Sequence, residues 1–580
     1  MSGVLPQREY WDMKMDRRGL VRRAASLLRV MFPAVFVILQ PSLLWAQTAV
    51  PTFECIGLYW KPGDTEGGEA KVRFRVEGDS AWREGYPLWY AERDGEFRGS
   101  LVGLRSGTTY EIELTAPSGK KAVLTAATRN EEFPVGKTTH LPGGEMDKPL
   151  RITESGTANA WHLVTPTPGT KTVIDTFNLH DNCVEVAADY VIIRGLELKN
   201  AGQNAVLIRK GVQNVVVEDC HMTLWGRVGG ARVWGVFYGS DSAIYAETGA
   251  GGLVLQRNLI EHPRSGSNDW ESGHPDGPQG ITLLNSSGGN VIRYNEIRST
   301  EDHGYNDGIG GGSNFSFQGS PNRDSDIYGN IITNCWDDAI ESEGANMNVR
   351  IWGNYIDKTF VFVATASTSM GPLYIYRNVF ASSRISHQDP SGGMIIKTGG
   401  VTRTLTLNGE QVPGDQGRRY IFHNTALQPH GALDVFSGHG VCNTVTRNNI
   451  FRVRGNAYPS SPKDGPPNDF RGDLTGGYLA GGFVRSMFVP SERMEWFLAP
   501  TVPTIKWGKV EYSRNGKDFA ITDPVVEAAN PAIDKGVRVP GFNDDYQGAA
   551  PDIGAFENGN PPLRFGREGA PGFARAPWEK

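Results

Sequence analysis

Two phrases, "DIYGNIITNC" at residues 326–335 and "VRIWGNYIDK" at residues 349–358, decide the fold of this chain. Each contains a short apolar strand, then an Asn, then a second apolar pair. The intervals from Asn330 to Asn354 and from Asn354 to Asn378 are 24 residues, and longer intervals contain additional Gly, Ser, Pro and Asp, as loops would. A repeat of this length made only of strands indicates a solenoid. The repeated Asn residues are Asn258, Asn295, Asn330, Asn354, Asn378, Asn424 and Asn449.

Stacked coils would place each Asn above the last, so that the side-chain amides can form a hydrogen-bonded ladder. The repeated phrase resembles the right-handed parallel β-helix of the pectin-lyase-like superfamily over residues 148–460. The resemblance implies an all-β solenoid. A β-propeller with blades of about 40 residues is the alternative, but the sequence lacks a blade signature.

The regions on either side of the repeat differ from it. Residues 47–130 alternate apolar and polar positions, and "SLVGLRSGTTYEIEL" at 100–114 resembles the corner and following strand of a fibronectin type III domain. The resemblance implies a β-sandwich. The tail, residues 461–580, contains "NPAIDKGVRVPGFNDDYQGAAPDIGAFE" at 530–557, which resembles the closing segment of bacterial β-helix proteins. We expect this region to cover the last open coil.

The first 46 residues have the features of an export signal. An apolar stretch, "VMFPAVFVILQPSLLWA" at 30–46, follows a basic region and ends at a possible cleavage site before Gln47. An uncleaved membrane anchor is the alternative. We therefore expect a secreted or periplasmic protein. The basic residues are Arg17, Arg18, Arg22, Arg23 and Arg29.

Composition narrows the possible functions. The 580 residues include 72 Gly, have 21% charged residues and a formal net charge of −6, which does not match a basic nucleic-acid-binding surface. The five cysteines are scattered, with no metal-ligand spacing and an odd count, so we expect buried thiols rather than a disulfide framework. We expect a monomer whose partner is a polysaccharide, with no nucleic acid and no membrane contact beyond the export signal.

A second column of residues follows the Asn positions. Short apolar strands begin with "NAVLI" at 204, "SAIYA" at 242, "QGITL" at 279, "DGIGG" at 307 and "DAIES" at 338. If these first residues are equivalent in successive coils, Gln279, Asp307 and Asp338 form a polar stripe. Adjacent strands lie about 4.8 Å apart, so the two Asp residues should be neighbours.

The stretch "NCWDDAIESEG" at 334–344 concentrates acidic residues beside the second Asp of this column. Period-two alternation predicts that Ile340 and Ser342 point inward and that Glu341 and Glu343 point outward. Carboxylates held this close repel, so one should keep its proton near neutral pH. A protonated acid beside an ionised one is what hydrolysis of a glycosidic bond requires.

The same acids resemble, inexactly, the site of β-helix polygalacturonase-type hydrolases. That family has an Asp on one coil, a "DD" pair on the next and a downstream "GHG"; this chain has Asp307, Asp337, Asp338 and "SGHG" with His439, but lacks the family's Arg-Ile-Lys motif. The resemblance implies a glycoside hydrolase. We predict Asp307, Asp337 and Asp338 as catalytic residues, with His303 as a general base or substrate contact.

Two loops, "NDWESGHPDGPQG" at 268–280 and "STEDHGYNDG" at 299–308, leave the solenoid beside the Asp column. They carry acidic, His and aromatic residues, and aromatic rings can stack on sugars. The predicted substrate-binding residues are Glu341, Glu343, Gln279, His274, Trp270, Trp336, Tyr305 and Lys397.

Three functions remain open from the sequence. Hydrolysis is favoured because acids outnumber cations in the stretch, whereas a lyase site would place Lys or Arg at its centre. The runner-up is β-elimination on a uronate polymer, with the acids as Ca²⁺ ligands. A non-catalytic carbohydrate-binding or adhesive protein is the third, since fold does not fix function. No cofactor is firmly implied, although Ca²⁺ is possible. The candidate lyase groups are Lys397, Arg350, Arg377, His303 and Tyr305.

Overall fold

The described part of the chain is almost entirely β-structure. The export signal predicted for residues 1–46 and His439 lie outside the described residues. Among the described residues, no helix combines the length and the apolar character that crossing a bilayer requires. The computed structural model describes residues 47–63, 67–227, 241–381, 383–384, 393–399, 404–426, 431–435, 440–452, 458, 465–476, 511–512, 519–520, 532–561 and 563–579.

The N-terminal unit is built from antiparallel strands around one apolar core. The segment Glu69–Val76 shows why, because its apolar residues alternate with exposed charged ones. The fibronectin type III identity of this unit stays a prediction. Its strands are Gln47–Pro51, Ile56–Trp60, Glu69–Val76, Arg83–Glu84, Leu88–Ala91, Glu96–Leu101, Thr109–Thr115 and Lys121–Ala127.

Of the described residues that follow this unit, those between Val135 and Gly476 form a right-handed parallel β-helix, as predicted. Parallel pairing begins at Val135 and continues to Gly476, beyond the predicted limits of 148 and 460. The sequence missed these outer coils because they lack the Asn phrase. The strands of the smaller parallel sheet are Val135–Leu141, Trp161–Pro166, Val191–Arg194, Val215–Glu218, Val254–Gln256, Val291–Arg293, Asp326–Tyr328, Val349–Trp352, Leu373–Tyr376, Arg419–Phe422, Thr444–Arg447 and Asp469–Phe470.

The larger parallel sheet carries two strands of most coils. The predicted column of residues that begin the short strands, Gln279, Asp307 and Asp338, lies on this sheet. Its strands are Gly144–Met146, Leu150–Ile152, Thr172–Asp175, Asn182–Val186, Glu197–Lys199, Asn204–Ile208, His221–Thr223, Ser242–Ala246, Leu259–Glu261, Gln279–Leu283, Glu296–Arg298, Ile309–Gly311, Ile331–Glu341, Tyr355–Thr365, Val379–Phe380, Met394–Thr398, Thr425–Ala426, Gly431–Val435, Ile450–Arg452 and Leu474–Gly476.

Short elements complete the described structure. The strand pairs are Gly319–Ser320 with Glu343–Gly344, Thr404–Leu407 with Glu410–Pro413, and Glu511–Tyr512 with Phe519–Ala520. The 3-10 helices are Glu92–Asp94, Trp270–Ser272, Glu301–His303, Arg567–Gly569 and Pro577–Glu579.

The predicted Asn ladder is confirmed. From Asn258 to Asn449, each buried side chain donates from Nδ2 to Oδ1 of the next at 2.9–3.0 Å. The residue before each ladder Asn has a positive φ, such as 66° at Gly329, so the chain turns a corner there. The ladder ends on Asp473, which accepts from Asn449 Nδ2 at 2.8 Å. The sequence did not identify Asp473, because an Asp is not part of the repeated phrase.

The prediction that residues 461–580 cover the last open coil falls in part on residues outside the described ranges and stays a prediction. The described C-terminal segment, residues 532–579, packs Ala532 and Ile553 against Leu474 of the last strand. It runs along the side of the solenoid, from Asn448, whose Oδ1 accepts from Val537 N at 2.8 Å, to Asp219, whose carbonyl accepts from Trp578 Nε1 at 2.7 Å. The segment bonds to backbone carbonyls at the corners of the coils, and Arg257 O is another of these, accepting from Arg567 Nε at 3.0 Å. The five cysteines are buried free thiols, as predicted.

Candidate active site

The predicted column of strand-first residues exists. Ser242 pairs with Gln279, and the pairings of Ile281 with Ile309 and of Ile309 with Ile340 place Gln279, Asp307 and Asp338 in register. Gln279 Nε2 donates to Asp307 Oδ2 at 2.6 Å, and the backbone N of Asp338 donates to Asp307 Oδ1 at 3.0 Å. The two Asp residues are therefore neighbours on adjacent coils, as predicted.

Five carboxylates come together around this column: Asp307, Asp337, Asp338, Glu341 and Glu343, here called the acid cluster. One oxygen from each of the three Asp residues lies within 4.8 Å of the others, and the same holds for Asp338, Glu341 and Glu343. Ile340 and Ser342 point inward as predicted, with no exposed surface. Glu343 is only 3% exposed, so it faces other side chains rather than bulk water.

Lys397 lies inside the acid cluster. The register Glu341–Ala364–Lys397 across three strands brings it there from a distant part of the sequence. Its Nζ lies 2.7 Å from Asp338 Oδ2 and 3.4 Å from Glu343 Oε1. Hydrolysis is favoured from the sequence only on the assumption that no Lys or Arg occupies the centre of the acids. That assumption is wrong, because strand pairing joins residues 59 positions apart.

Burial and mutual repulsion set the protonation of the cluster. Burial raises the pKa of Asp307, Asp337 and Glu343 well above the ordinary range, and neighbouring carboxylates add to this shift. Burial also raises the pKa of Glu341. Burial alone would lower the pKa of Lys397, but the surrounding carboxylates outweigh it and hold that pKa well above the usual value. The cluster therefore favours protonated acids around one charged lysine.

A first prediction concerns how the free energy of unfolding depends on pH, measured in EDTA so that no divalent cation is bound. Above about pH 4 the unfolded chain loses the Asp337 proton while the folded chain keeps it, so the folded state binds more protons and stability falls as pH rises. We expect Asp337→Asn, which mimics the protonated acid, to unfold at higher urea concentration than wild type at roughly pH 8. The advantage should shrink toward about pH 4. Urea unfolding across this range measures it, and a pH-independent difference would contradict the raised pKa.

The acid cluster opens into a cavity of about 530 Å³. Asp307, Asp337, Glu341, Glu343 and Lys397 line one part of it. The remaining wall is largely apolar, which suits the C–H faces of sugar rings. That wall contains Trp270, Phe315, Phe360, Val361 and Met394.

The loop at 268–280 forms part of the cavity as predicted. Trp270 packs against Phe360 with ring centroids 5.4 Å apart, and His274 lies 4.8 Å from Trp270. His274 Nε2 lies 3.4 Å from Asp337 Oδ2. The structure thus brings Trp270, His274 and Gln279 to the cavity.

Tyr305, His303 and Trp336 are not among the residues that line the cavity. Tyr305 is fully buried, and its hydroxyl donates to the carbonyls of Ile260 at 3.0 Å and Arg298 at 2.8 Å. Its prediction as a substrate contact is wrong, because it packs inside the solenoid core.

The other two side chains have local partners in the adjoining turns. His303 Nδ1 lies 2.8 Å from the carbonyl of Pro263. The Arg384 guanidinium covers the Trp336 ring at 4.0 Å. We predicted His303 and Trp336 as site residues because they lie close to Asp307 and Asp337 in sequence. The chain turns between these positions, so the two side chains do not line the cavity.

Two other lyase candidates are engaged elsewhere. Arg350 is fully buried and pairs with Asp326 at 2.6 Å. Arg377 pairs with Asp545 of the C-terminal segment at 2.8 Å. Of the predicted lyase groups, Lys397 is the one that lines the cavity.

The sequence missed several cavity residues. Val361 and Met394 continue the column beyond Asp338, so extending the register would have found them. Asn314 and Phe315 come from a loop with no repeated pattern, and no sequence signal identified them. Asn306 precedes Asp307 and also lines the cavity.

Several solved structures resemble this chain. Pectate lyase Pel9A is similar at 15% identity and a TM-score of 0.38, over 74% of this chain and 91% of that one. A PL6 family polysaccharide lyase from Pseudopedobacter saltans is similar at 12% identity and a TM-score of 0.39, over 61% and 91% of the two chains. The catalytic unit of a GH87 alpha-1,3-glucanase from Streptomyces thermodiastaticus is similar at 12% identity and a TM-score of 0.29, over 75% and 90%. No family model matches the sequence, and no curated protein matches it.

Proposed function

We propose that this protein is an exported polysaccharide lyase that cleaves a uronate polymer by β-elimination, with a divalent cation such as Ca²⁺ bound to the acid cluster. The observation that carries the proposal is Lys397, a buried cation that lines the cavity beside the clustered carboxylates. Elimination needs a base near the sugar C5 and positive charge near the uronate carboxylate. The acid cluster and Lys397 offer both.

The oxygens of the cluster fit a hard cation. Among the described residues, Asp338 Oδ1 and Asn306 Oδ1 are buried without a hydrogen-bond partner, which is costly unless something else binds them. Asp307 and Asp337 each place an oxygen within 4.8 Å of an Asp338 oxygen. Carboxylate and amide oxygens are the ligands that Ca²⁺ prefers. A bound Ca²⁺ would supply the positive charge that stabilises the substrate carboxylate as C5 is deprotonated.

Lys397 is the proposed base. It can accept a proton only when neutral, and the negative charge of the neighbouring carboxylates, Asp338 first, opposes this by raising its pKa. A bound Ca²⁺ would compensate the negative charge of these carboxylates and so remove the cause of the raised pKa of Lys397. The C5 proton then passes to Nζ, the C4–O bond breaks, a C4–C5 double bond forms, and the leaving oxygen takes a proton from water or from His274. His274 is more than half exposed and lies at the cavity.

Hydrolysis is the second candidate, and the raised pKa of Asp307 and Asp337 favours it. A protonated carboxyl could donate to the leaving oxygen, and Asp338, whose Oδ2 lies 2.7 Å from Lys397 Nζ, would be the second carboxyl group of the pair. Their nearest oxygens lie within 4.8 Å, whereas inverting glycosidases need carboxyl groups roughly 6.5 to 9.5 Å apart. A hydrolase with this geometry would therefore resemble the retaining class.

The test is to assay purified protein against neutral and uronate polysaccharides, with reducing ends and the ultraviolet absorbance of an unsaturated product followed together. We expect both signals to rise on a uronate polymer and both to stop in EDTA. Reducing ends without absorbance would support hydrolysis and overturn elimination. Binding without either signal would favour a non-catalytic carbohydrate-binding protein.

A further inference from the structure

The loop at residues 312–318, "GSNFSFQ", here called the wall loop, forms one side of the cavity. It follows the strand Ile309–Gly311 and carries Asn314 and Phe315, both of which line the cavity. Asn314 Nδ2 donates to Glu341 Oε1 at 2.8 Å, and Gly311 N donates to Glu341 Oε2 at 2.8 Å. The wall loop therefore holds Glu341 Oε1 through Asn314, and the strand that precedes it holds Oε2 through Gly311.

The wall loop is held from outside by a neighbouring segment of the solenoid. Asn314 O accepts from both the backbone N and Oγ of Ser367 at 3.2 Å. Ser369 Oγ donates to the carbonyl of Ser316. Displacement of Ser367 or Ser369 would thus displace the loop and weaken the hydrogen bond from Asn314 to Glu341.

Arg93, which belongs to the N-terminal antiparallel unit, contacts both of these parts. Its guanidinium lies 5.0 Å from the ring centroid of Phe317 in the wall loop. Its Nη1 donates to the carbonyl of Ser369 at 3.2 Å. A cation over an aromatic ring and a hydrogen bond to a carbonyl together give the contact both attraction and direction.

Arg93 is itself held firmly. Asp94 accepts from its Nε at 3.2 Å and its Nη2 at 3.0 Å, and Asp94 also pairs with Arg98 at 2.8 Å. The unit that carries them is bound to the solenoid, since Tyr59 donates to Asp324 Oδ1 at 2.8 Å. Arg93 therefore links the N-terminal unit to the wall loop and to the segment that holds it.

We propose that Arg93 is a positioning residue that holds the wall loop, and through Asn314 holds the Glu341 carboxylate at the acid cluster. The N-terminal unit is then part of the active-site scaffold. The inference rests on the proposed function only for its effect on activity. Its structural part, the ordering of the wall loop, stands without it.

The test compares Arg93→Ala with Arg73→Ala, a matched change in the same unit, where Arg73 pairs with Glu113 at 2.8 Å on the surface. We expect Arg93→Ala to lower kcat by about tenfold, as small misplacements at a reacting centre do, and Arg73→Ala to leave it unchanged. Arg93→Ala combined with Asn314→Ala should lose no more activity than Asn314→Ala alone, because both act on Glu341. Full additivity, or equal effects of the two Arg variants, would overturn the proposal.

Hydrogen exchange gives a readout that does not depend on catalysis. We expect faster amide exchange in peptides covering residues 309–318 in Arg93→Ala than in wild type or Arg73→Ala. Unchanged exchange would overturn the positioning role. Faster exchange in a protein that cleaves no uronate polymer would keep the positioning role and reject only the lyase function.

Discussion

Lys397→Met is expected to abolish cleavage, with a loss of kcat/KM of about a thousandfold, the scale that a general base contributes. Methionine keeps all but the last heavy atom of the lysine chain length and lacks the nitrogen that would accept the C5 proton. The assay is the rate of unsaturated product formed from the polymer that wild type cleaves. Lys121→Met is the matched control, because Lys121 is 60% exposed on the N-terminal unit.

Lys397 also neutralises buried carboxylates, so its loss could act through folding. Lys397→Arg separates the two roles, since an arginine keeps the positive charge next to Asp338 but does not release its proton. We expect this variant to unfold near the wild-type temperature and to remain inactive. An active Lys397→Arg enzyme would show that only charge is needed, and would move the preference to hydrolysis.

Asp338→Asn is expected to weaken Ca²⁺ binding by about two orders of magnitude, and to remove activity at Ca²⁺ concentrations that saturate wild type. Asp338 belongs to both carboxylate triads and carries the buried oxygen without a partner. An amide at this position removes one negative charge from the ligand set. Calorimetric titration of EDTA-treated protein with Ca²⁺ measures the affinity.

Asp302→Asn is the control for this experiment, because its side chain is 80% exposed in the loop before Asp307. Its Ca²⁺ affinity should equal that of wild type. Activity in Asp338→Asn should return in part at high Ca²⁺ concentration if the metal is what the variant lacks. Wild-type affinity in Asp338→Asn would contradict the assignment of the acid cluster as the metal site.

The sequence predicted the features that the coil repeat controls. The Asn ladder and the Gln279–Asp307–Asp338 column follow from period and register, so counting along the chain was sufficient. The sequence named Lys397 as a substrate contact and as one of several candidate lyase groups, but it did not place Lys397 beside Asp338, since that position depends on how many residues the intervening coils contain. The prediction for Tyr305 failed for a related reason. Its closeness to Asp307 in sequence does not determine whether its side chain faces the cavity or the solenoid core.

The loops and the tail could not be predicted in this way. Asn314 donates to Glu341 from the wall loop, which is in turn contacted by Ser367 and by Arg93. Neither of these two contacts produces a pattern in the local sequence. The C-terminal segment follows the corner carbonyls of the solenoid, such as Arg257 O, which appear only when the coils are stacked. Such contacts join residues that are 53 to 310 positions apart, and no local propensity encodes them.

The Asn ladder also determines where the solenoid can fray. Each rung is bonded to the rung before and the rung after, so local opening should start at the terminal coils and advance one coil at a time. The residues of the acid cluster and Lys397 lie between Asn295 and Asn424, each with ladder bonds on both sides. Partial unfolding at either end must therefore break several rungs before it reaches them. The coils that carry the charged site, which are the most costly to bury, therefore lie inside the ladder rather than at its ends.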